Sequence, residues 1–392
     1  LNVEATPTYH PDNLSLWRSV VAEGATAYDD SDDDAPAIQA AIDNAAAAGD
    51  EIVYLPRGDY HVDSTIVLRG GVKKIMGLQS AIFQGSGFTA GDPLIRFDGG
   101  DEDTVVIEHH RIDGILEHNS SKNLSIRQAD MEEGYRNTAN GTGKVFFEDT
   151  IGTISIDHPQ QAWGRQINAE FGPYPLIKNT GGDFWILGYK GEGVNGTYIE
   201  NDGGRLELLG GLAYPTSVVS ESIPAIKNID GDLSVVWRVI NNNFRHIIED
   251  TRDGETRSLW ANNVSLSGKG PNDANNIGSR YIPIFSSLGQ DGSPLGTIDF
   301  SAETVTSYSN QDSGSSNVED GGATLRLTGN SWKKIDFNYT VTADTVLQFE
   351  VNASDAGEII GISLDENNSH GDQTRVFAFG GSQGVPGDMI NY

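Results

Sequence analysis

The sequence contains no cysteine, only 3 methionines, and 26 Lys and Arg against 56 Asp and Glu, a net charge of −30. Without cysteine there is no disulfide scaffold, no thiolate zinc site and no cysteine nucleophile. The shortage of positive charge argues against nucleic-acid partners, because a chain this acidic repels phosphate backbones. No apolar run approaches the ~18 residues that a membrane helix needs, so membrane insertion is not expected. Extended disorder is also not expected: 37% of the residues are hydrophobic, with 14 Phe, 13 Tyr and 6 Trp, enough for a packed core. The length of 392 residues allows two or three domains, or one long all-β domain. The chain opens at Leu1 without Met, as a mature secreted chain does after its leader is removed, or a trimmed chain.

The 47 glycines are abundant and punctuate short apolar runs. One helix is expected, Ala35 to Ala48, with Asp34 as N-cap, Pro36 in the first turn and Gly49 as terminator. Ile38, Ala41, Ile42 and Ala45 give it one apolar face. Beyond it a phrase recurs: Phe147-Glu148-Asp149, Ile177-Lys178-Asn179, Ile199-Glu200-Asn201, Ile226-Lys227-Asn228 and Ile248-Glu249-Asp250, each followed by a turn and another apolar run. Such a repeat, with insertions at some steps, marks a solenoid whose coils are single turns of a parallel β-helix. The first residue of each phrase should point inward. The third should form a polar ladder at a turn, and the middle one an outward column alternating Glu and Lys, each charge facing its opposite on the next coil. About 250 residues would build about ten coils and ~50 Å of solenoid at ~4.8 Å per coil. The helix would cap its first end.

The expected organisation is an N-terminal segment and capping helix over 1–50, the solenoid over 51–300, a polar Gly/Ser-rich linker or domain edge over 301–322, and a β-sandwich segment over 323–392, where alternation resumes in Thr345-Val346-Leu347-Gln348-Phe349-Glu350-Val351.

Several motifs are rejected on context. Asp30 to Asp34 imitates a calcium loop, but Ala35 stands where its glycine belongs and Ala41 where its last Glu belongs. This excludes an EF-hand and leaves calcium open only as a looser cofactor. Gly191-Glu192-Gly193-Val194-Asn195-Gly196 lacks the following helix of a dinucleotide site. Gly380-Gly381-Ser382-Gln383-Gly384 lacks the strand–elbow–helix setting of a serine nucleophile. His109, His110 and His118 lack zinc-protease spacing.

Gly24-Ala25-Thr26-Ala27-Tyr28-Asp29-Asp30, Ala37-Ile38-Gln39-Ala40-Ala41-Ile42 and Val53-Tyr54-Leu55-Pro56-Arg57-Gly58-Asp59-Tyr60 resemble the opening of pectate-lyase-like and polygalacturonase-related right-handed β-helix proteins, over residues 20–85. Leu325-Arg326-Leu327-Thr328-Gly329-Asn330-Ser331-Trp332-Lys333 and Gly357-Glu358-Ile359-Ile360-Gly361-Ile362 resemble the first part of a jelly-roll carbohydrate-binding domain. The expected fold class is therefore all-β: a right-handed parallel β-helix with a capping helix, then a jelly-roll-like segment. The resemblance implies a polysaccharide partner and a secreted or cell-surface protein.

Lyases of this kind need a base and a cation beside a uronate; hydrolases need converging carboxylates. The candidate catalytic residues are Lys190 and Glu192 on one coil and Arg245, His246, Asp250 and Arg252 on another, with Asp253 and Glu255 beside them. Trp163, Tyr189, Tyr214 and Trp260 are candidates to stack on sugar rings, whereas Trp185 and Trp237 suit the core. The alternative function is noncatalytic, a surface filament, sheath or adhesin subunit. Its short C-terminal β-domain would then be completed by a strand from another copy, which makes self-association an expectation. A phage tailspike is a third reading, with no evident trimerisation region.

Overall fold

The structure is a computed structural model. It describes residues 1–29, 31–170, 172–193, 196–240, 244–261, 264, 280–281, 283–288, 298–308 and 310–336, and then 347, 349, 351–352, 359–365, 376–380 and 390–391. The chain divides into two units, 1–289 and 290–392.

The first unit is an all-β parallel solenoid with three strand columns, named here sheets 1, 2 and 3 in the order the chain visits them in each coil. Sheet 1 starts with Trp17–Ser19, which pairs with Ile52–Leu55, so its parallel pairing begins ahead of the helix rather than at residue 51. It continues through 74–77, 104–108, 123–127, 145–148, 161–165, 183–187 and 205–209 to 232–236. Sheet 2 stacks Gly58–Val62 on 80–84, 110–113 and so on to 238–239. Sheet 3 stacks Ile66–Leu68, Pro93–Phe97, Ile115–His118, 135–137, 154–156, Ile177–Thr180, Ile199–Asp202, Ile226–Ile229 and 248–251.

The corner between sheets 1 and 2 is a single left-handed residue at the same place in successive coils. Gln79, His109, Gln128, Asp149 and Gln166 hold φ between 48° and 62°, and Gly188 and Gly210 take 78°. One residue with positive φ turns the chain without breaking the ladder and resets which side chains point inward. Val53, Ile75, Ile107, Ile126, Phe147, Ile186, Leu208 and Val235 form a buried inward column of sheet 1.

Four of the five recurring phrases lie in register in sheet 3: Ile177, Ile199, Ile226 and Ile248 stack inward, and Lys178, Glu200, Lys227 and Glu249 face out. The fifth is a correction. Phe147-Glu148-Asp149 lies in sheet 1, with Glu148 beside Arg127 and Arg165 and Asp149 at the left-handed corner. Asp at that corner mimics Asn at a turn, because both side chains suit positive φ.

The polar ladder is continuous from 179 to 250. Asn179 Nδ2 donates to Asn201 Oδ1 at 2.8 Å, Asn201 to Asn228 at 2.7 Å, and Asn228 to Asp250 Oδ1 at 2.6 Å. Each amide also donates to the carbonyl three residues on, of Gly182, Gly204 and Gly231. All three Asn are fully buried, and their pairing offsets most of the cost of burying them, with Asn179 Oδ1 at the first rung left without a partner among the described residues.

The helix Ala35–Ala48 buries Ile38, Ala41, Ile42 and Ala45 at the first end of the core, and Gly49 closes it at φ 78°. Asp34 does not cap it. Its buried carboxylate accepts from the backbone of Thr26 at 2.7 Å and of His61 at 3.1 Å, and burial raises its pKa. At the other end the pairing turns antiparallel: Glu255–Trp260 pairs with His246–Arg252, and Ile284–Ser287 with 233–236. This covers edges that would otherwise template further strands.

In the second unit, Ser315–Glu319 pairs antiparallel with Thr324–Thr328, Thr306–Ser307 with Lys333–Lys334, and Ile360–Ser363 with Val376–Gly380. Most of the alternating run 345–351 lies outside the described residues, as do 381–384 of the rejected serine motif and 194–195 of the rejected dinucleotide motif.

Candidate functional site

The strands of sheet 3 show alternate side chains outward, and two outward columns run along the solenoid axis. One reads Arg96, Glu117, Arg136, Ser155, Lys178, Glu200, Lys227, Glu249. Beside it stand Thr180 and Asp202, each two positions further along its strand and with Ile229 following on the next coil, while Asp157 lies just past the end of the strand that carries Ser155. Lys178 Nζ bonds Asp157 at 2.9 Å. That hydrogen bond holds Lys178 above the ordinary lysine range, and Glu200 and Asp202 add attraction. Arg136 bonds Glu117 at 2.6 Å. Glu200 faces Lys178 on one neighbouring coil and Lys227 on the other. Coils ~4.8 Å apart keep these charges within reach of each other and of one ligand.

The connections entering sheet 3 differ in length. Gly114 alone joins sheets 2 and 3 in one coil, whereas 85–92 and 216–225 do so in others, the last beside these coils. Long loops beside an exposed strand face are where binding residues gather. Arg245 sits here: its guanidinium bonds Glu221 of the 216–225 connection at 3.0 Å, and both are well exposed. His246 is buried, its Nδ1 3.2 Å from the Glu221 carbonyl, its Nε2 3.1 Å from Ser258 Oγ and its ring stacked on Trp260 at 4.3 Å.

The sequence-derived candidates do not converge. Asp250 points into the core as the last rung of the Asn ladder and accepts from Ser287 at 2.8 Å, which corrects its assignment as an exposed catalytic acid. Arg252 donates to the Gly231 carbonyl at 2.7 Å and closes the adjoining turn. Lys190 and Glu192 lie on the outer face of sheet 2, where Lys190 bonds Glu192 at 2.8 Å and also Glu170, with Tyr214 in register beside Glu192. Tyr189, 3% exposed, belongs to the solenoid core and offers no face to a sugar. Trp163 faces out from sheet 1, but residues 1–9 cover it. Trp260 is half-buried against His246. Trp237 is in the core as expected, whereas Trp185 is buried on the outer side of sheet 1.

Sequence reasoning took the Lys178–Glu249 column as structural and missed Asp157 and Asp202. The signal was Glu200-Asn201-Asp202, an out–in–out triplet that places two carboxylates on one face. His110 and His118 are buried and held neutral, with burial lowering their pKa values to about 3 and about 4. Their partners are Ser80 for His110, at 3.1 Å, and Tyr135 and the Lys122 carbonyl for His118. In the acidic loop before the helix, Asp29 bonds Ser31 and Asp33 accepts from the backbone of Ala35 and Asp63. No group of three or more His, Asp or Glu suited to a metal ion occurs among the described residues.

Residues 17–158 match the family model described as rhamnogalacturonase A/epimerase, pectate lyase-like. No curated protein sequence matches the chain. Among solved structures it is similar to the ORF18 protein of Geobacillus virus E2, at 14% identity over 81% of this chain and 86% of that one, TM-score 0.29. It is similar to the A-module of mannuronan C-5 epimerase AlgE4 from Azotobacter vinelandii, at 17% over 55% and 76%, TM-score 0.23. It is also similar to PfbA, a surface adhesin of Streptococcus pneumoniae, at 12% over 70% and 98%, TM-score 0.29. Likeness at these scores carries no argument about function.

Proposed function

We propose that this pectate-lyase-like parallel β-helix is an extracellular protein that binds an acidic polysaccharide along the outer face of sheet 3 and hydrolyses it there. The observation that carries this reading is Glu200, which stands between Lys178 and Lys227 of the neighbouring coils, with Asp202 two positions further along the same strand. Lysines spaced by coils can neutralise the carboxylates of a uronate chain lying along the axis, which an acidic protein could not otherwise approach.

Two strand positions separate Glu200 from Asp202, about 6.6 Å of backbone at ~3.3 Å per residue. That spacing suits the ~6.5–9.5 Å carboxyl separation of inverting hydrolysis, in which one acid protonates the leaving oxygen and the other activates water. The outward Lys178–Asp157 pair would position a substrate carboxylate or ring hydroxyl. A net charge of −30 favours solvation outside the cell and supports the same reading.

Incubation with polygalacturonate, alginate, ulvan and xylan tests it. New reducing ends without unsaturated-uronate absorbance are expected; absorbance would replace hydrolysis by elimination. A noncatalytic surface role is the second reading, favoured by the internal pairing of Lys178 with Asp157. It predicts glycan binding with no product.

A further inference from the structure

Residues 1–9 lie on the outer face of sheet 1, opposite in sense to the coil order. Trp163 Nε1 donates to the Asn2 carbonyl at 2.8 Å, Arg165 to the Glu4 carbonyl, Ser125 Oγ to the Pro7 carbonyl at 2.8 Å and Lys74 Nζ to the Tyr9 carbonyl at 3.2 Å. These four donors stand on three strands of one sheet, Lys74 on the first, Ser125 two coils on, and Trp163 and Arg165 together on 161–165. Residues 2–9 extended reach about 23 Å at ~3.3 Å per residue, enough to span the ~19 Å of the four coil steps between these strands at ~4.8 Å each. The segment therefore runs along the axis with a few Å to spare, held by four carbonyl oxygens and also by the side chains of Glu4, Thr6 and Tyr9.

The face beneath is built unlike a core. Phe146 and Trp163 stack at 4.9 Å and, with Trp185, form a cluster of their own outside the solenoid core. Arg165 lies 5.0 Å from the Trp185 ring and Lys144 5.5 Å from Trp163. The Nε of Arg127 is buried with no acceptor among the described residues. Val3, Ala5 and Thr8 of the strap are exposed, whereas Glu4, Thr6 and Tyr9 add side-chain oxygens to the row of acceptor carbonyls that the face holds.

We propose that the outer face of sheet 1 is a second binding track for a linear carboxylated polysaccharide, and that residues 1–9 occupy it as a displaceable internal ligand. A row of Lys, Arg, Ser and Trp donors flanked by flat aromatic rings is the chemistry that holds a chain of carboxylates and hydroxyls. The inference shares its ligand class with the function proposed for sheet 3 but uses none of the same residues.

The test loosens the strap in the full chain by Glu4→Ala with Tyr9→Ala, which removes the 2.6 Å bond to Lys144 and the bond to Glu51. Hydrogen exchange should show residues 2–9 deprotected, and polygalacturonate affinity should rise about tenfold, with neutral galactan unchanged. Adding Trp163→Ala, or Arg165→Gln if that variant folds poorly, should abolish the gain. Glu200→Gln should leave it intact even if sheet 3 proves inactive. Undiminished protection would make the strap an integral part of the fold and overturn the proposal. So would deprotection without a gain in affinity, or deprotection that yields a concentration-dependent dimer, the sign that a second copy's strap fills the track.

Discussion

Two outer faces of one solenoid carry the same charge pattern in different surroundings. On sheet 1, buried Glu108 and half-buried Arg127, Glu148 and Arg165 alternate beneath the N-terminal strap; on sheet 3, Lys178, Glu200, Lys227 and Glu249 alternate, all half-buried. In-register stacking alone imposes this alternation, because like charges one coil apart repel. Alternation therefore says nothing about function by itself. Burial sets its energetic weight, and neighbouring loops and second columns decide what it can bind.

Breaking one charge on each face should separate them most clearly. Lys74 and Glu108 form an ion pair with both side chains at most 5% exposed. Glu108→Ala leaves Lys74 buried and unpaired and should cost about 3–5 kcal/mol in denaturant unfolding. Glu200→Ala on the open face should cost no more than about 1 kcal/mol. Equal costs would contradict the contrast.

The Asn ladder should rank next. Asn201→Ala takes the rung acceptor from Asn179 Nδ2 and the rung donor from Asn228 Oδ1 and should cost about 2–3 kcal/mol, read as a lower denaturation midpoint at unchanged slope.

A pH titration should come third. Burial depresses His118 to about 4 and His110 to about 3, so the unfolded chain, with His near 6.5, binds more protons in between. Stability should be full above pH ~6.5 and fall as pH falls from ~6.5 towards ~4. His118→Gln should flatten that slope; an unchanged slope would mean that His118 does not carry it.

The smallest effect is expected for Lys227→Glu, which places three glutamates in succession on the open face and should cost about 0.5–1 kcal/mol, less at high salt.

Much of this architecture is legible in the sequence. Ile, a charge and Asn before a Gly turn mark sheet 3, because a buried amide ladder at a tight corner admits few other residues. The apolar face of Ala35–Ala48 and Gly49 likewise fix the capping helix. The candidate site is much less legible, for two reasons. A left-handed corner shifts the inside–outside phase: Trp185 and Leu187 face out, Gly188 turns, and Tyr189 falls inside, so an aromatic's side cannot be read through the turn. The strap has no periodicity of its own. Its partners lie far along the chain, as Glu4 and Arg165 do, and only coil stacking brings them together.

The most direct measurement of the central claim is turnover of polygalacturonate by the Glu200→Gln and Asp202→Asn variants, each confirmed folded. Both variants should retain binding and lose at least ~100-fold in kcat, in line with removal of a general acid or base. Wild-type rates in both variants, beside an active parent protein, would contradict it.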